Sequence, residues 1–148
     1  MQEHKEGVLS CQAYIFVDIK QLKEHEETTN EHVKSLSDEI ERDGVLKRAI
    51  AVDSKTNVIL DGHHRLCALL KLNCIKIPVV YLNYDDPSIK VLPWRKGESV
   101  DKEIVRNAGL SGKKLPPKTS NHVIEVENEI HHIEYLETIC NTPLKMLR

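Results

Sequence analysis

The sequence predicts a compact α/β domain, a small mixed sheet with helices packed against it. Three observations lead there. The chain has 148 residues, 40% of them apolar, enough to bury one respectable core in a single domain spanning residues 1–148. Short β-branched runs alternate with segments whose apolar residues recur at helical spacing. One stretch, VILDGHHRLCALL from Val58 to Leu70, passes from buried-strand to apolar-helix character across a glycine.

The elements follow in order. AYIFVDI, Ala13 to Ile19, is rich in β-branched and aromatic residues and reads as a strand. Thr28 and Glu31 have the spacing of a capping box, Val33, Leu36 and Ile40 recur at helical spacing, and Gly44 stands where a C-terminal glycine cap belongs. AIAVD and VIL flank SKTN, which predicts two short strands around a turn. A helix is expected from about Gly62 to Asn73, with Leu66, Leu69 and Leu70 facing inward. IKIPVVYL returns as a strand, and Pro78 in it suggests an edge or a bulge. IKVLPW is a further strand candidate, Ser99 is expected to cap a helix running through about Ala108, and Gly109, Gly112 and Pro116-Pro117 mark a loop. From Glu125 two readings stay open: a helix carried by Ile130, Ile133 and Leu136, or a strand followed by one turn. The core is taken as about 13–124, with 125–148 as a C-terminal extension.

Composition excludes some functions. Lys plus Arg is 21 against Asp plus Glu 23, a net charge of -2 with pI near 6.4, so the basic footprint of a general nucleic-acid binder is missing. No apolar run reaches membrane-spanning length, and the start MQEHKEG is too polar for a signal peptide; a cytoplasmic protein is expected. Cys11, Cys67, Cys74 and Cys140 form no CxxC pair and are expected as reduced thiols.

The polar residues at the strand-to-helix joint point to an anion. A helix starting near Gly62 turns unpaired N–H groups out of the joint, ready for a phosphate. His63, His64 and Arg65 add donors, and Arg suits a bidentate grip on phosphate oxygens. Asp61 could hold a metal ion, orient a histidine or merely cap the helix. PPKTSNH puts a cation and several donors, Lys118, Thr119, Ser120 and His122, on a rigid turn suited to a phosphate or carboxylate. Trp94, the single tryptophan, reads either as core packing or as a pocket wall. His131-His132 lacks a partner at helical zinc spacing and reads as surface.

ILDGHHRLCAL resembles the phosphate-binding motif of the ParB/sulfiredoxin-like fold, in the Asp-Gly-His-His-Arg version of the free serine kinases. LKEHEE resembles that family's catalytic segment, DGVLKRAIAVD its helix-to-strand passage and LPPKTSNHVI its substrate loop, in the right order from Ala13 to about Ile124. Sulfiredoxins carry a Gly-Cys-His-Arg nucleophile where His63 stands here, and chromosome-partition ParB proteins carry an Arg-rich box from which Asp61 to Arg65 departs. The resemblance implies that Glu26, with Glu27 as the less favoured neighbour, is the general base. It implies catalytic positions for Asp61 and His64, and a phosphate site of Gly62, His63, His64 and Arg65. It also implies serine contacts at Ser35, Trp94, Lys118, Thr119, Ser120 and His122. The pattern departs at Ser120, usually Thr, and Asn121, usually Arg. Only 23 residues separate Trp94 from Lys118, where free serine kinases carry an inserted lobe.

The function so implied is a kinase moving a phosphoryl group from ADP or ATP to the hydroxyl of free L-serine. Mg2+ bridges the phosphates, with Asp61 as its contact, and O-phospho-L-serine is made for cysteine biosynthesis. The alternative is a non-catalytic, nucleotide-responsive ParB-like DNA-binding or partition module; a two-metal nuclease is disfavoured because no carboxylate cluster is visible. A β- or γ-phosphoryl would meet the same cradle, so ADP and ATP stand as alternative donors.

Overall fold

The computed structural model describes residues 13–148; MQEHKEG and Cys11 lie outside the described residues. A four-stranded sheet forms the centre. It is built from β1 (Ile15–Asp18), β3 (Ile50–Asp53), β4 (Ile59–Asp61) and β5 (Lys76–Leu82), in the order β1-β5-β3-β4. β3 runs parallel to β5, while β1 and β4 are antiparallel to their neighbours. The sheet is therefore mixed, as the sequence predicts.

Both faces of β3, β4 and β5 are covered, so these strands read as near-continuous apolar runs, whereas β1 leaves Ile15 and Phe16 exposed. The alternation of side chains along a strand divides them between two cores. Ile50, Val52, Ile59, Ile77 and Val79 pack on one side with Ile40, Leu66 and Leu69 of two helices, α1 (Asn30–Asp43) and α2 (His63–Lys71). Ala51, Val58, Leu60, Val80 and Leu82 pack on the other with Val105 of α3 (Lys102–Ser111) and with Ile124 and Ile133. A three-stranded sheet, β6 (Ile89–Pro93), β7 (Ser120–Val126) and β8 (Glu129–His132), covers this second side. No helix among the described residues is long and apolar enough to cross a membrane.

Several boundaries differ from expectation by identifiable causes. The N-cap of α1 is Thr29, not Thr28; the Thr28 hydroxyl instead meets the Cys67 thiol at 3.8 Å. Asp101, not Ser99, caps α3, its carboxylate accepting from the Ile104 N–H at 2.8 Å. Gly109 lies inside α3 rather than in a loop: a Cβ there would come within 2.6 Å of Val58, so the glycine sets how closely the helix meets the sheet. Leu70 is 49% exposed, and Ala68 takes the inward place beside Leu69. Pro78 lies in an inner strand, not at an edge, because the ladder to β3 begins one residue later at Val79, leaving Pro78 opposite Phe16 of β1 alone. After Glu125 the strand reading holds: β7 turns into β8, a 3-10 turn follows, and β9 (Ile139–Pro143) pairs with β2 (Val45–Arg48), carrying Leu144 and Leu147 into the first core.

Candidate active site

The joint between β4 and α2 opens into a cavity of about 440 Å3. Gly62 makes the joint possible. Its φ is +118°, and a Cβ would stand 2.3 Å from the Ile50 side chain, so only glycine fits both the backbone and the space. The first bond of α2 runs from the Leu66 N–H to the Gly62 carbonyl at 3.0 Å. The N–H groups of His63, His64 and Arg65 thus have no partner within the helix, and all three residues line the cavity.

Glu26 reaches the cavity from the chain before α1. Its Oε2 accepts from the Lys118 N–H at 3.0 Å; its Oε1 accepts from the Ser120 N–H at 3.0 Å and the Ser120 hydroxyl at 2.8 Å. Three donors of the PPKTSNH turn therefore hold one carboxylate. Lys118 sits at φ +58° to do so, a conformation that non-glycine residues adopt at some cost and mostly at functional sites. Thr119 is not among the lining residues; its hydroxyl donates to the Pro116 carbonyl at 2.6 Å and closes the turn. Glu27 is exposed and outside the cavity. The turn folds over the same end of the sheet as the Gly62 joint, as a shared pocket requires.

Two residues expected to grip phosphate are committed elsewhere. Arg65 is a half-buried brace: its guanidinium donates to the Arg48 and Ala49 carbonyls, both at 3.1 Å, to Asp61 Oδ2 at 3.0 Å and to Glu137 Oε1 at 2.9 Å. His63 accepts the His25 N–H on Nε2 at 3.1 Å, and burial, with His25 and His122 nearby, holds its pKa well below the usual imidazole range. It fixes the segment that carries Glu26 instead of donating through that nitrogen. The anion is left with the backbone N–H groups, His64 and Lys118. His64 accepts the Thr29 N–H on Nε2 at 3.3 Å and stacks on His32 at 4.0 Å; burial and His32 lower its pKa.

Beneath the joint, Arg65, Asp61 and Glu137 form a charge cluster that the sequence did not disclose. Burial pushes Asp61 up, but the Arg65 guanidinium, a hydrogen bond with Glu137 and the nearby His132 and His122 together hold the carboxyl below its ordinary range. Burial carries Glu137 well above the carboxyl range, aided by Asp61 and opposed by Arg65. Glu137 therefore takes a proton more readily than an ordinary carboxyl, which lowers the charge this cluster has to bury. Asp61 does not cap α2, since Gly62 occupies that position.

The remaining predicted contacts are divided. Trp94 is 51% exposed rather than core-packed, and its indole N–H donates to the Ser120 carbonyl at 2.9 Å, so it walls the cavity mouth with its donor already used. His122 is 2% exposed; its Nε2 lies 2.7 Å from the Tyr84 hydroxyl, its Nδ1 is buried with no hydrogen-bond partner among the described residues, and burial holds its pKa down to about 3. It is a neutral group in the cavity wall, not a cation. Ser35 lies on the exposed face of α1, about 100° round the helix from Leu36; His32, Leu36, Glu39, Ile40 and Asp43 are the α1 residues that line the cavity. His132, expected on the surface, also lines it, with Nε2 3.9 Å from Asp61. Helical spacing from Leu36 and Ile40 could have found the α1 face; nothing local marks Glu137 or His132.

No family model matches the chain. It is 28% identical over 112 residues to an ATP-dependent L-serine kinase of Staphylothermus marinus, covering 67% of this chain and 44% of the relative. It is 34% identical over 89 residues to a ParB-like protein of Sulfolobus acidocaldarius, covering 60% of this chain and 44% of that one. The chain therefore spans less than half the length of these relatives. Among solved structures, a free serine kinase in complex with AMP superposes with a TM-score of 0.76 at 14% identity, over 91% of this chain and 93% of that one. The fold is that of free serine kinase, and the resemblance carried by DGHHR and its companion segments is borne out.

Proposed function

We propose that the chain is a nucleotide-dependent kinase that phosphorylates the hydroxyl of free L-serine, using ADP or ATP. The observation that carries this reading is the meeting, in one cavity, of a helix start able to hold phosphate and a carboxylate fixed by three donors. Phosphoryl transfer needs little covalent chemistry from the protein; positioning and electrostatics supply most of the acceleration. The backbone N–H groups at His63 to Arg65, with the positive end of α2, seat the transferred phosphoryl. Lys118 and His64 add donors beside it.

Glu26 takes the proton of the serine hydroxyl. A carboxylate has about four lone-pair positions; three are filled by the Lys118 and Ser120 donors, and the fourth, on Oε2, is left for the substrate. Glu27, exposed and outside the cavity, is poorly placed for the task. Trp94 walls the serine end, and Lys118 meets the carboxylate or phosphate of the amino acid. The apolar Leu36 and Ile40 continue the cavity along α1 and suit the base of the nucleotide.

A Mg2+ ion fits as a companion of the nucleotide. Asp61 Oδ2 is tied to Arg65, which leaves Oδ1 as one carboxylate contact, and Mg2+ commonly takes only one or two protein carboxylates beside phosphate oxygens and water. Bound there, it supplies charge neutralisation across the phosphates. The free thiols of Cys67, Cys74 and Cys140 support a reducing, cytoplasmic setting.

A non-catalytic ParB-like module is the second reading, favoured by the ParB-like relative. It would need the phosphate seat but not the triply held Glu26, and the net charge of -2 weakens it. Incubation with Mg2+, ADP or ATP and a panel of free amino acids, read by mass, tests the choice: phosphorylated serine is expected. No phosphorylated amino acid with either nucleotide, together with tight duplex DNA binding at physiological salt, would replace the kinase by the second reading.

A further inference from the structure

Behind Glu26 lies a hydrogen-bond chain whose protons do not match its contacts. His25 is fully buried, with Nδ1 2.7 Å from the Ile59 carbonyl and Nε2 2.9 Å from the Ser120 hydroxyl oxygen. A carbonyl can only accept, so Nδ1 carries a hydrogen, and a neutral ring then offers Nε2 as an acceptor. Burial lowers the His25 pKa, with Glu26 opposing, which agrees with a neutral ring. The Ser120 hydroxyl also lies 2.8 Å from Glu26 Oε1. It has one hydrogen and two acceptors.

We propose that Ser120 is a hydroxyl switch between Glu26 and His25: its hydrogen sits on Glu26 Oε1 while that carboxylate is ionised, and turns to His25 Nε2 once Glu26 has taken the substrate proton. The inference rests on the kinase reading for its catalytic meaning. While Glu26 is ionised, charge assistance holds the hydroxyl on it, and the lone pairs of Nε2 and Oγ face each other at 2.9 Å. That opposition is relieved when the hydroxyl hydrogen turns to Nε2. When the serine O–H breaks, its proton goes to Glu26 and its electron pair forms the new O–P bond, while the old P–O pair leaves with the nucleotide. The neutral acid holds the Ser120 hydroxyl more weakly, and Nε2 becomes the better acceptor. After product release, Glu26 gives its proton to water and the hydroxyl returns.

The surrounding groups leave the switch intact. His63 and His122 present ring edges to His25 at 4.6 and 5.8 Å, His64 and Lys118 face Glu26, and Asp61 lies beyond His64. His25 touches no substrate. It is a positioning residue, acting through Ser120.

Nitrogen NMR of the histidine rings tests the switch without needing turnover. Glu26→Gln imitates the protonated acid, so the Nε2 resonance of His25 should move toward that of a hydrogen-bonded acceptor while Nδ1 keeps its hydrogen. The Glu26→Gln, Ser120→Ala pair should abolish the movement. An unmoved resonance in Glu26→Gln would overturn the switch even if the wild-type protein phosphorylates serine. In the active enzyme, His25→Phe removes the second acceptor and should lower kcat roughly tenfold with the serine KM little changed; a serine KM raised as much as kcat falls would assign His25 a merely structural role. Absence of O-phosphoserine from the wild type would instead defeat the kinase reading, leaving the NMR result to judge the switch alone.

Discussion

Arg65 is the residue whose sequence reading and structural place differ most. The motif predicts a phosphate grip; the structure spends every hydrogen bond it gives the guanidinium on Arg48, Ala49, Asp61 and Glu137. Arg65→Ala should therefore unfold the protein more easily by about 3 to 5 kcal/mol, the usual result of stranding a buried charge partner, as a denaturant titration would read. Unchanged stability with lost nucleotide binding would restore the direct grip. Glu137→Gln tests the raised proton affinity of this carboxyl. Because the folded-state pKa of Glu137 is raised, the folded form binds the extra proton, and its stability falls as pH climbs above the ordinary carboxyl value of 4.5. The glutamine variant should escape that loss, so its advantage over the parent should grow with pH above 4.5; melting curves with a constant difference would contradict it. Lys118→Ala keeps the backbone bond to Glu26 but loses the ammonium, and should raise the serine KM roughly tenfold for a charge-assisted contact of about 1.5 kcal/mol, with the nucleotide KM moved less; equal changes in both would place Lys118 at the nucleotide. The motif residues were legible because they are contiguous. Glu137 was not, standing 72 positions from Arg65 with no local pattern to mark it.

At the level of elements, periodicity located the helices, and their ends were set by side chains that compete for one role. Thr28 and Thr29 both suit an N-cap, and so do Ser99 and Asp101; Thr28 is drawn to Cys67 instead, and the Asp101 carboxylate takes the Ile104 N–H. Gly109 looked like a loop marker because a glycine inside a helix is costly, yet its approach to Val58 repays that cost in packing. Gly62 was read correctly as a joint, and the reason is now visible in φ +118° and the nearness of Ile50. Gly62→Ala should lower stability by about 2 kcal/mol or more, combining backbone strain with overpacking, and should disturb the seat at the start of α2. A variant as stable as the parent would mean that the joint relaxes freely.

Across the whole molecule, the fold class was legible because the central strands bury both faces and announce themselves as apolar runs, whereas the sheet order and the return of β9 to β2 depend on contacts distant in sequence. The same burial places neutral histidines at the centre. His63 and His122 are both depressed, so the unfolded chain binds protons that the folded form refuses; stability is present above 6.5 and is lost as pH falls below it, by up to about 1.4 kcal/mol per pH unit for each. Thermal midpoints should therefore begin to drop below pH 6.5, well above the carboxylate range, and flat midpoints down to pH 5 would contradict the neutral assignment. The claim on which the account turns is that one cavity seats the phosphate at α2 and the proton acceptor at Glu26 as separable parts. Phosphorus NMR of the protein with nucleotide, Mg2+ and L-serine, run in parallel on the parent and on Glu26→Gln, tests it most directly. An O-phosphoserine signal is expected from the parent, with a rate lower by roughly 10² to 10⁴ in the variant and nucleotide binding retained in both; turnover in the variant within about a factor of two of the parent, or nucleotide binding lost with the carboxylate, would refute the separation of the two parts.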